Sequence, residues 1–158
     1  SGDRTEHVLW RLENGEIDGI SPKLAVLMIG TNNAAREEYT PEQIAEGVTA
    51  IVCKLRNDLP DTKILILAIF PRGSDPQRKD KTKDAEYNPL WAKNDHVNRL
   101  ISKLADGKTI HYLDINKAFL DKQGVLTRRV MPDLLHPEET GYEIWAQAMA
   151  PTLVKLLK

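Results

Sequence analysis

The chain has 158 residues, of which 41% are hydrophobic and 28% are charged, proportions typical of one globular domain. Its 22 basic and 23 acidic side chains nearly cancel, and neither sign forms a long block that could bind nucleic acid. The single cysteine excludes an internal disulfide, and the longest apolar run, Leu24 to Gly30, is far too short to span a membrane. We therefore expect one domain over residues 1–158, with no nucleic-acid partner and no membrane span.

The first half of the chain predicts a buried strand between two helices. A helix over Thr5–Asn14 is followed by Gly15, a residue that commonly ends helices. The apolar run Leu24–Ile29 is typical of a strand buried on both faces of a parallel sheet. Thr40-Pro41-Glu42-Gln43 has the N-cap hydroxyl, first-turn proline and capping-box glutamine that begin a helix, which Pro60 ends.

The second half repeats this alternation. Ile64–Ile69 is a second buried-strand pattern, and the charged stretch Ser74–Asn88 predicts an exposed loop. Pro89–Ala105 predicts a helix and Thr109–Ile115 a third strand. A last helix, from about Glu138 to the end, is expected to bury five apolar residues, Tyr142, Trp145, Met149, Leu153 and Leu156.

Alternating helices and strands indicate a three-layer α/β/α domain with a parallel sheet. Three strands are few, because a doubly wound sheet normally has five or more and its first strand lies near the middle. We therefore expect the amino-terminal strands to be missing from this chain, which would be the carboxyl-terminal portion of its domain. A segment of roughly 50 to 70 residues would complete the sheet. It could be an amino-terminal fragment of the same protein, a second chain or a swapped neighbour in an oligomer.

Two motifs carry side chains suited to chemistry, and a third, the amino-terminal Ser1-Gly2-Asp3, could offer an unobstructed backbone N–H from its glycine. Gly30-Thr31-Asn32-Asn33 directly follows the first strand, and an asparagine amide there can donate to a developing oxyanion; an ordinary Asx turn is the alternative. In Asp133-Leu134-Leu135-His136, the carboxylate can accept the imidazole Nδ1 proton and leave Nε2 free as a base. The alternative there is a surface histidine before a helix.

These motifs together resemble the SGNH (GDSL-type) hydrolase family, and within it the catalytic subunits of the platelet-activating-factor acetylhydrolase type. Residues 2–16 are similar to the second block of the family, and Gly30-Thr31-Asn32-Asn33 to its third. Pro71-Arg72-Gly73 resembles a turn typical of the subfamily, and Asp133-Leu134-Leu135-His136 resembles the fifth block. The first block, Gly-Asp-Ser, occurs nowhere in the sequence.

The resemblance implies a flavodoxin-like SGNH hydrolase fold and a serine esterase acting on short-chain, particularly acetyl, esters of a sugar or a lipid. It implies that His136 is the general base, that Asp133 orients it, and that the Gly2 backbone N–H and the Asn32 side chain form the oxyanion hole. The nucleophilic serine would lie outside this chain, and neither a metal nor an organic cofactor is expected. A non-catalytic binding or scaffold domain derived from such a hydrolase is the alternative.

A few other residues are alternative candidates for a functional site. Ser1 could act as an amino-terminal nucleophile with its own amine as base, but Asp133 and His136 would then have no role. The other three histidines lack a spacing that indicates a metal site, and they are interpreted as structural: His7, His96 and His111. The three tryptophans are interpreted as core residues rather than a sugar-stacking platform: Trp10, Trp91 and Trp145.

Overall fold

The computed structural model describes residues 2–158 and contains a parallel three-stranded sheet between two layers of helices. The strands are β1 (Leu24–Leu27), β2 (Lys63–Leu67) and β3 (Ile110–Leu113), in the order β1-β2-β3. The helices are α1 (Thr5–Glu13), α2 (Thr31–Ala34), α3 (Pro41–Asp58), α4 (Asp75–Lys79), α5 (Pro89–Ile101) and α6 (Glu139–Leu157). The predicted α/β class with a parallel sheet is confirmed.

The central strand β2 divides the core into two halves. Ile64 and Ile66 point to one face, where they pack with α1, α3 and α5, and both are at most 1% exposed. Leu65 and Leu67 point to the other face, where they pack against Leu156 and neighbouring residues of α6. Because side chains alternate along a strand, a continuous apolar run is needed to fill both faces, as the sequence predicted for this strand.

The predicted helix starts are present at α3 and α5. The Thr40 hydroxyl accepts from the Gln43 backbone N–H at 3.2 Å, and the Gln43 side chain accepts from the Thr40 N–H at 2.9 Å. The Asn88 side chain caps α5 by accepting from the backbone N–H groups of Leu90 and Trp91. Both helices therefore begin at fixed residues, and the caps satisfy backbone N–H groups that the first turn leaves without partners.

β1 differs from the prediction that both of its faces are buried. It is an edge strand of the described sheet, and Val26 is 44% exposed. Leu24 and Met28 on the same face pack against the α6 side of the core, but the helix leaves Val26 uncovered. Within residues 2–158, no strand pairs with the outer edge of β1.

Three further expectations are wrong. The stretch Ser74–Asn88 is not only an exposed loop, because it contains α4 and because Ala85, fully buried, pairs with Leu126 through two 2.9 Å backbone hydrogen bonds. In α6, Tyr142 is 56% exposed. Trp10 on α1 is 63% exposed, whereas Trp91 is buried as expected.

Among the helices of residues 2–158, none is long and apolar enough to cross a membrane.

Candidate active site

The two predicted motifs meet at one cavity. The cavity has a volume of about 400 Å³ and lies beyond the carboxyl ends of β1 and β2. Gly2, Asn32 and His136 all line it, and Asp133 contacts His136 from outside the lining. The structure thus brings all four predicted site residues together, at the edge where a parallel sheet collects polar groups from successive loops.

Asp133 and His136 form a close pair. The imidazole Nδ1 lies 2.8 Å from Asp133 Oδ2, and the His136 backbone N–H donates to Asp133 Oδ1 at 2.7 Å. The backbone N–H of Leu135 also donates to Oδ1, at 3.0 Å. Both carboxylate oxygens are therefore held by the turn that carries the histidine.

These hydrogen bonds determine which nitrogen of His136 is free. Burial alone would raise the pKa of Asp133, but the hydrogen bonds from the His136 backbone, the His136 ring and the Leu135 backbone outweigh it and lower the pKa to about 2. An ionised carboxylate can only accept, so the contact places the proton of a neutral imidazole on Nδ1. Nε2 then keeps its lone pair, and the side chain of His136 is 69% exposed at the cavity.

The turn between these two residues is anchored from the Pro71-Arg72-Gly73 segment. Leu134 has a φ of 57°, a left-handed conformation that is unfavourable for leucine, yet its side chain is fully buried. The Gly73 N–H donates to the Leu134 carbonyl at 2.8 Å. A Cβ on Gly73 would lie 2.9 Å from Leu134 Cβ, so only glycine permits this approach.

Arg78 also binds Asp133, a contact that no motif in the sequence predicts. Its Nη2 lies 3.2 Å from Asp133 Oδ2, and its Nε donates to the Asp133 backbone carbonyl at 3.0 Å. Arg78 belongs to α4, within the stretch interpreted as an exposed loop. No local pattern could relate two residues so far apart in the chain.

The loop after β1 places Asn32 beside the amino-terminal segment. The Asn32 Nδ2 donates to the Asp3 backbone carbonyl at 2.8 Å. A side-chain amide has two hydrogens, so one remains available to a group in the cavity. Gly30, with a φ of 125°, forms the sharp exit from the strand, and Gly2 has a φ of 81°. Glycine adopts such angles without steric cost.

A hydrogen-bond network that begins at buried Asn33 and reaches the surface at Glu6 fixes this loop to α1. Asn33, fully buried, accepts from the Thr5 backbone N–H at 3.0 Å and donates to Glu6 Oε2 at 3.1 Å. Glu6 also accepts from the Tyr39 hydroxyl at 2.8 Å and pairs with Arg4. Burial would raise the pKa of Glu6, but hydrogen bonds from Arg4, its own backbone, Tyr39 and Asn33 lower it to about 2.

The remaining wall of the cavity is apolar and aromatic. Tyr142 stacks on Trp145 with ring centroids 5.9 Å apart, and Phe70 meets the edge of Trp145 at 4.8 Å. Both α6 aromatics line the cavity, which explains why Tyr142 is not a core residue as predicted. The side chains of Met28 and Ile69 extend the same apolar surface.

No serine lines the cavity within residues 2–158. Ser21 precedes β1 and so belongs to the opposite end of the sheet. The Ser74 hydroxyl donates to the Gln77 side chain at 3.0 Å, and the Ser102 hydroxyl donates to a backbone carbonyl of α5. Ser1, considered as a competing nucleophile, lies outside the described residues.

The sequence profile of the GDSL-like lipase/acylhydrolase family matches residues 1–144. The chain belongs to this family. Platelet-activating factor acetylhydrolase IB subunit alpha1 of Bos taurus is 38% identical over 157 residues, which are 99% of the chain and 62% of that relative. Subunit alpha2 of Rattus norvegicus is 37% identical over 161 residues, 99% of the chain and 63% of that relative. The chain therefore spans less than two thirds of the length of these curated relatives.

Solved structures of a GDSL-like lipase and of an acetylxylan esterase share the fold. A GDSL-like lipase from Bacteroides thetaiotaomicron superposes with a TM-score of 0.76 at 19% identity, over 98% of the chain and 73% of that structure. An acetylxylan esterase from Geobacillus stearothermophilus superposes with a TM-score of 0.71 at 17% identity, over 99% of the chain and 68% of that structure. These similarities show that the chain has the fold of these enzymes.

Proposed function

We propose that the protein containing this chain is a serine esterase in which His136 is the general base and Asp133 orients it. The observation that carries the proposal is the 2.8 Å contact between His136 Nδ1 and Asp133 Oδ2 at a cavity that Asn32 and Gly2 also line. A base with a fixed tautomer facing candidate oxyanion donors is the arrangement that acyl transfer requires. Family membership supports an acylhydrolase activity.

The reaction would proceed in two steps. His136 Nε2 takes the proton of a serine hydroxyl as the serine oxygen attacks the ester carbonyl, and the carbonyl oxygen becomes an oxyanion that accepts from the Asn32 amide and the Gly2 N–H. The protonated imidazole then gives its proton to the leaving alcohol as the C–O bond breaks. His136 Nε2 then takes a proton from water as the water oxygen attacks the acyl-serine carbonyl. It gives that proton to the serine oxygen as the acyl C–O bond breaks, which releases the carboxylic acid and the free serine.

The nucleophile in this proposal is a serine outside the 158 residues. Two observations support it: no serine of residues 2–158 lines the cavity, and the outer edge of β1 has no strand partner among those residues. A segment that pairs with β1 in parallel would end at the carboxyl edge of the sheet, beside His136. Such a segment could belong to the same protein, to a second chain or to a swapped neighbour.

The acyl group is proposed from the names of similar proteins, and the cavity offers an apolar surface for it. Phe70, Tyr142 and Trp145 form the apolar wall on which an acyl group can pack. We propose an acetyl or similarly short acyl group. The names of the relatives and fold neighbours, an acetylhydrolase and an acetylxylan esterase, support a lipid or a sugar as the alcohol.

A fluorophosphonate probe tests the proposal, because it reacts covalently with a serine that a neighbouring base activates. The full-length protein should be labelled on one serine, and peptide mapping should place that serine outside the chain described here. His136→Ala should abolish the labelling, whereas His111→Ala, on β3, should not change it. A wild-type protein that remains unlabelled would instead support the alternative, a binding or scaffold domain without a nucleophile.

A further inference from the structure

Arg72 is a buried cation behind the cavity, and the mechanism above gives it no role. Its residue exposure is 2%. Its Nη1 donates to the Thr31 backbone carbonyl at 3.0 Å and lies 3.3 Å from the Thr31 hydroxyl. Its Nε has no hydrogen-bond partner within residues 2–158, and none of the salt bridges found there includes Arg72.

A buried guanidinium without a carboxylate partner is costly to maintain. Burial lowers the pKa of Arg72, the nearby Arg78 lowers it further, and the charges of Asp75 and Asp133 oppose the change only through space. An apolar side chain of similar volume would fill the same space without this desolvation penalty. The position therefore has a use for the charge or for the hydrogen-bonding fork.

The location of Arg72 indicates that use. Its side chain holds Thr31, the residue before Asn32, while its own neighbour Gly73 holds Leu134, which lies between Asp133 and His136. The preceding residue, Pro71, lines the cavity. One short segment thus connects the loop that presents the amide to the turn that presents the base.

We propose that Arg72 is a positioning residue for the oxyanion site, a role that rests on the serine esterase function proposed above. Its Nη1 holds the Thr31 carbonyl, which belongs to the Thr31–Asn32 peptide, so that the Asn32 amide is already oriented when the oxyanion forms. The positive charge of Arg72 lies behind that loop. It stabilises the negatively charged transition state more than it stabilises the neutral substrate. Arg72 contacts neither the substrate nor the serine in this account.

The effect of Arg72 must be separated from simple support of the core. If Arg72 acts through Asn32, its loss matters only while the Asn32 amide is present, so the two substitutions will not combine multiplicatively. If Arg72 only fills space, its removal will lower kcat by the same factor in either background.

The experiment is a double-mutant cycle in the full-length protein, with kcat and KM measured on p-nitrophenyl acetate. Arg72→Met should lower kcat by about tenfold to a hundredfold with KM within about twofold, because small displacements of catalytic groups cost that much. In the Asn32→Ala background, the same substitution should lower kcat by less than about threefold. Arg72→Lys, which keeps the charge and one donor, should recover at least half of the lost activity on a logarithmic scale.

Controls keep the outcomes distinct. Arg56 Nη1 donates to the Thr62 backbone carbonyl at 2.9 Å, near the amino end of β2, so Arg56→Met removes a comparable bond away from the cavity and should leave kcat unchanged. If thermal melting shows that Arg72→Met does not fold, Arg72→Gln, which removes the charge but keeps a polar side chain, replaces it in the cycle. Equal factors in both backgrounds, or an unchanged kcat, would overturn the proposal. Failure of the esterase function itself would show separately, as a wild-type protein without activity.

Discussion

Asp133 and His136 are joined twice, by a 2.8 Å contact between Oδ2 and the imidazole Nδ1 and by a 2.7 Å hydrogen bond from the His136 backbone N–H to Oδ1. The second bond makes the carboxylate part of the turn that carries the histidine. Orientation of the ring is therefore a property of the local backbone as much as of the side chains, and Leu134 adopts a left-handed φ of 57° to allow it.

Asp133→Asn tests the orienting role. An asparagine can present its amide nitrogen to His136 Nδ1, which stabilises the wrong tautomer and places the proton on Nε2. We expect kcat to fall by about 10⁴-fold in the full-length protein, as loss of this group does in other triads. Asp84→Asn, in the segment between α4 and α5 and outside the cavity lining, is the control and should keep wild-type kcat. A loss of less than tenfold would show that Asp133 does not set the tautomer.

Asn32→Ala should act on the transition state alone. Removing one oxyanion donor lowers kcat by about a hundredfold or more, and KM should change little because the neutral carbonyl of the substrate depends less on the donor. Asn57→Ala, on an exposed part of α3, is the matched control. A change confined to KM would indicate that Asn32 binds substrate. Unchanged kcat and KM would indicate that the loop is an ordinary Asx turn without a catalytic role.

Gly30→Ala and Gly124→Ala compare a crowded glycine in the loop of Asn32 with an uncrowded glycine elsewhere. Both glycines have positive φ, 125° and 81°, but a Cβ on Gly30 would lie 2.8 Å from Ile69 Cδ1, whereas a Cβ on Gly124 meets nothing within 4 Å. Strain alone costs about 1–3 kcal/mol, so Gly124→Ala should lose that much in the free energy of unfolding. Gly30→Ala should lose more, and it should also lower kcat because it shifts the loop of Asn32. Equal losses in urea unfolding would contradict the crowding.

Much of this site was readable from the sequence because its key contacts are local or follow from strand order. The Asp133–His136 pair spans one turn, and the loop of Asn32 directly follows a strand whose end a parallel sheet fixes. The supporting arginines were not readable. Arg72 and Arg78 reach Thr31 and Asp133 across long stretches of chain, and only the packed fold defines these distances.

The predicted burial of two apolar residues, Tyr142 and Val26, was also wrong. Periodicity shows that Tyr142 lies on the apolar stripe of α6, but it cannot distinguish a core from the wall of a cavity. Val26 fits a buried-strand pattern, yet burial on both faces depends on what covers β1, which its own residues do not specify.

Glu6→Gln should reduce the acid sensitivity of the fold. The pKa of Glu6 is lowered from its ordinary 4.5 to about 2, so its ionised form contributes stability above pH 4.5, and this contribution is lost as the pH falls toward 2. The variant should therefore be less stable than wild type at pH 7, and the difference should shrink between pH 4.5 and 2. Thermal melting across this range, with the exposed Glu46→Gln as control, measures it. A difference in melting temperature between wild type and Glu6→Gln that stays constant from pH 7 to pH 2 would contradict the lowered pKa of Glu6.

The most direct test of the account is the hydrolysis of p-nitrophenyl acetate by the full-length protein and its His136→Ala variant, with folding verified by thermal melting. Because triad members act as a unit, the account predicts that kcat/KM falls by several orders of magnitude while the melting temperature stays close to that of wild type. A folded His136→Ala variant that keeps more than about a tenth of the wild-type kcat/KM would contradict it.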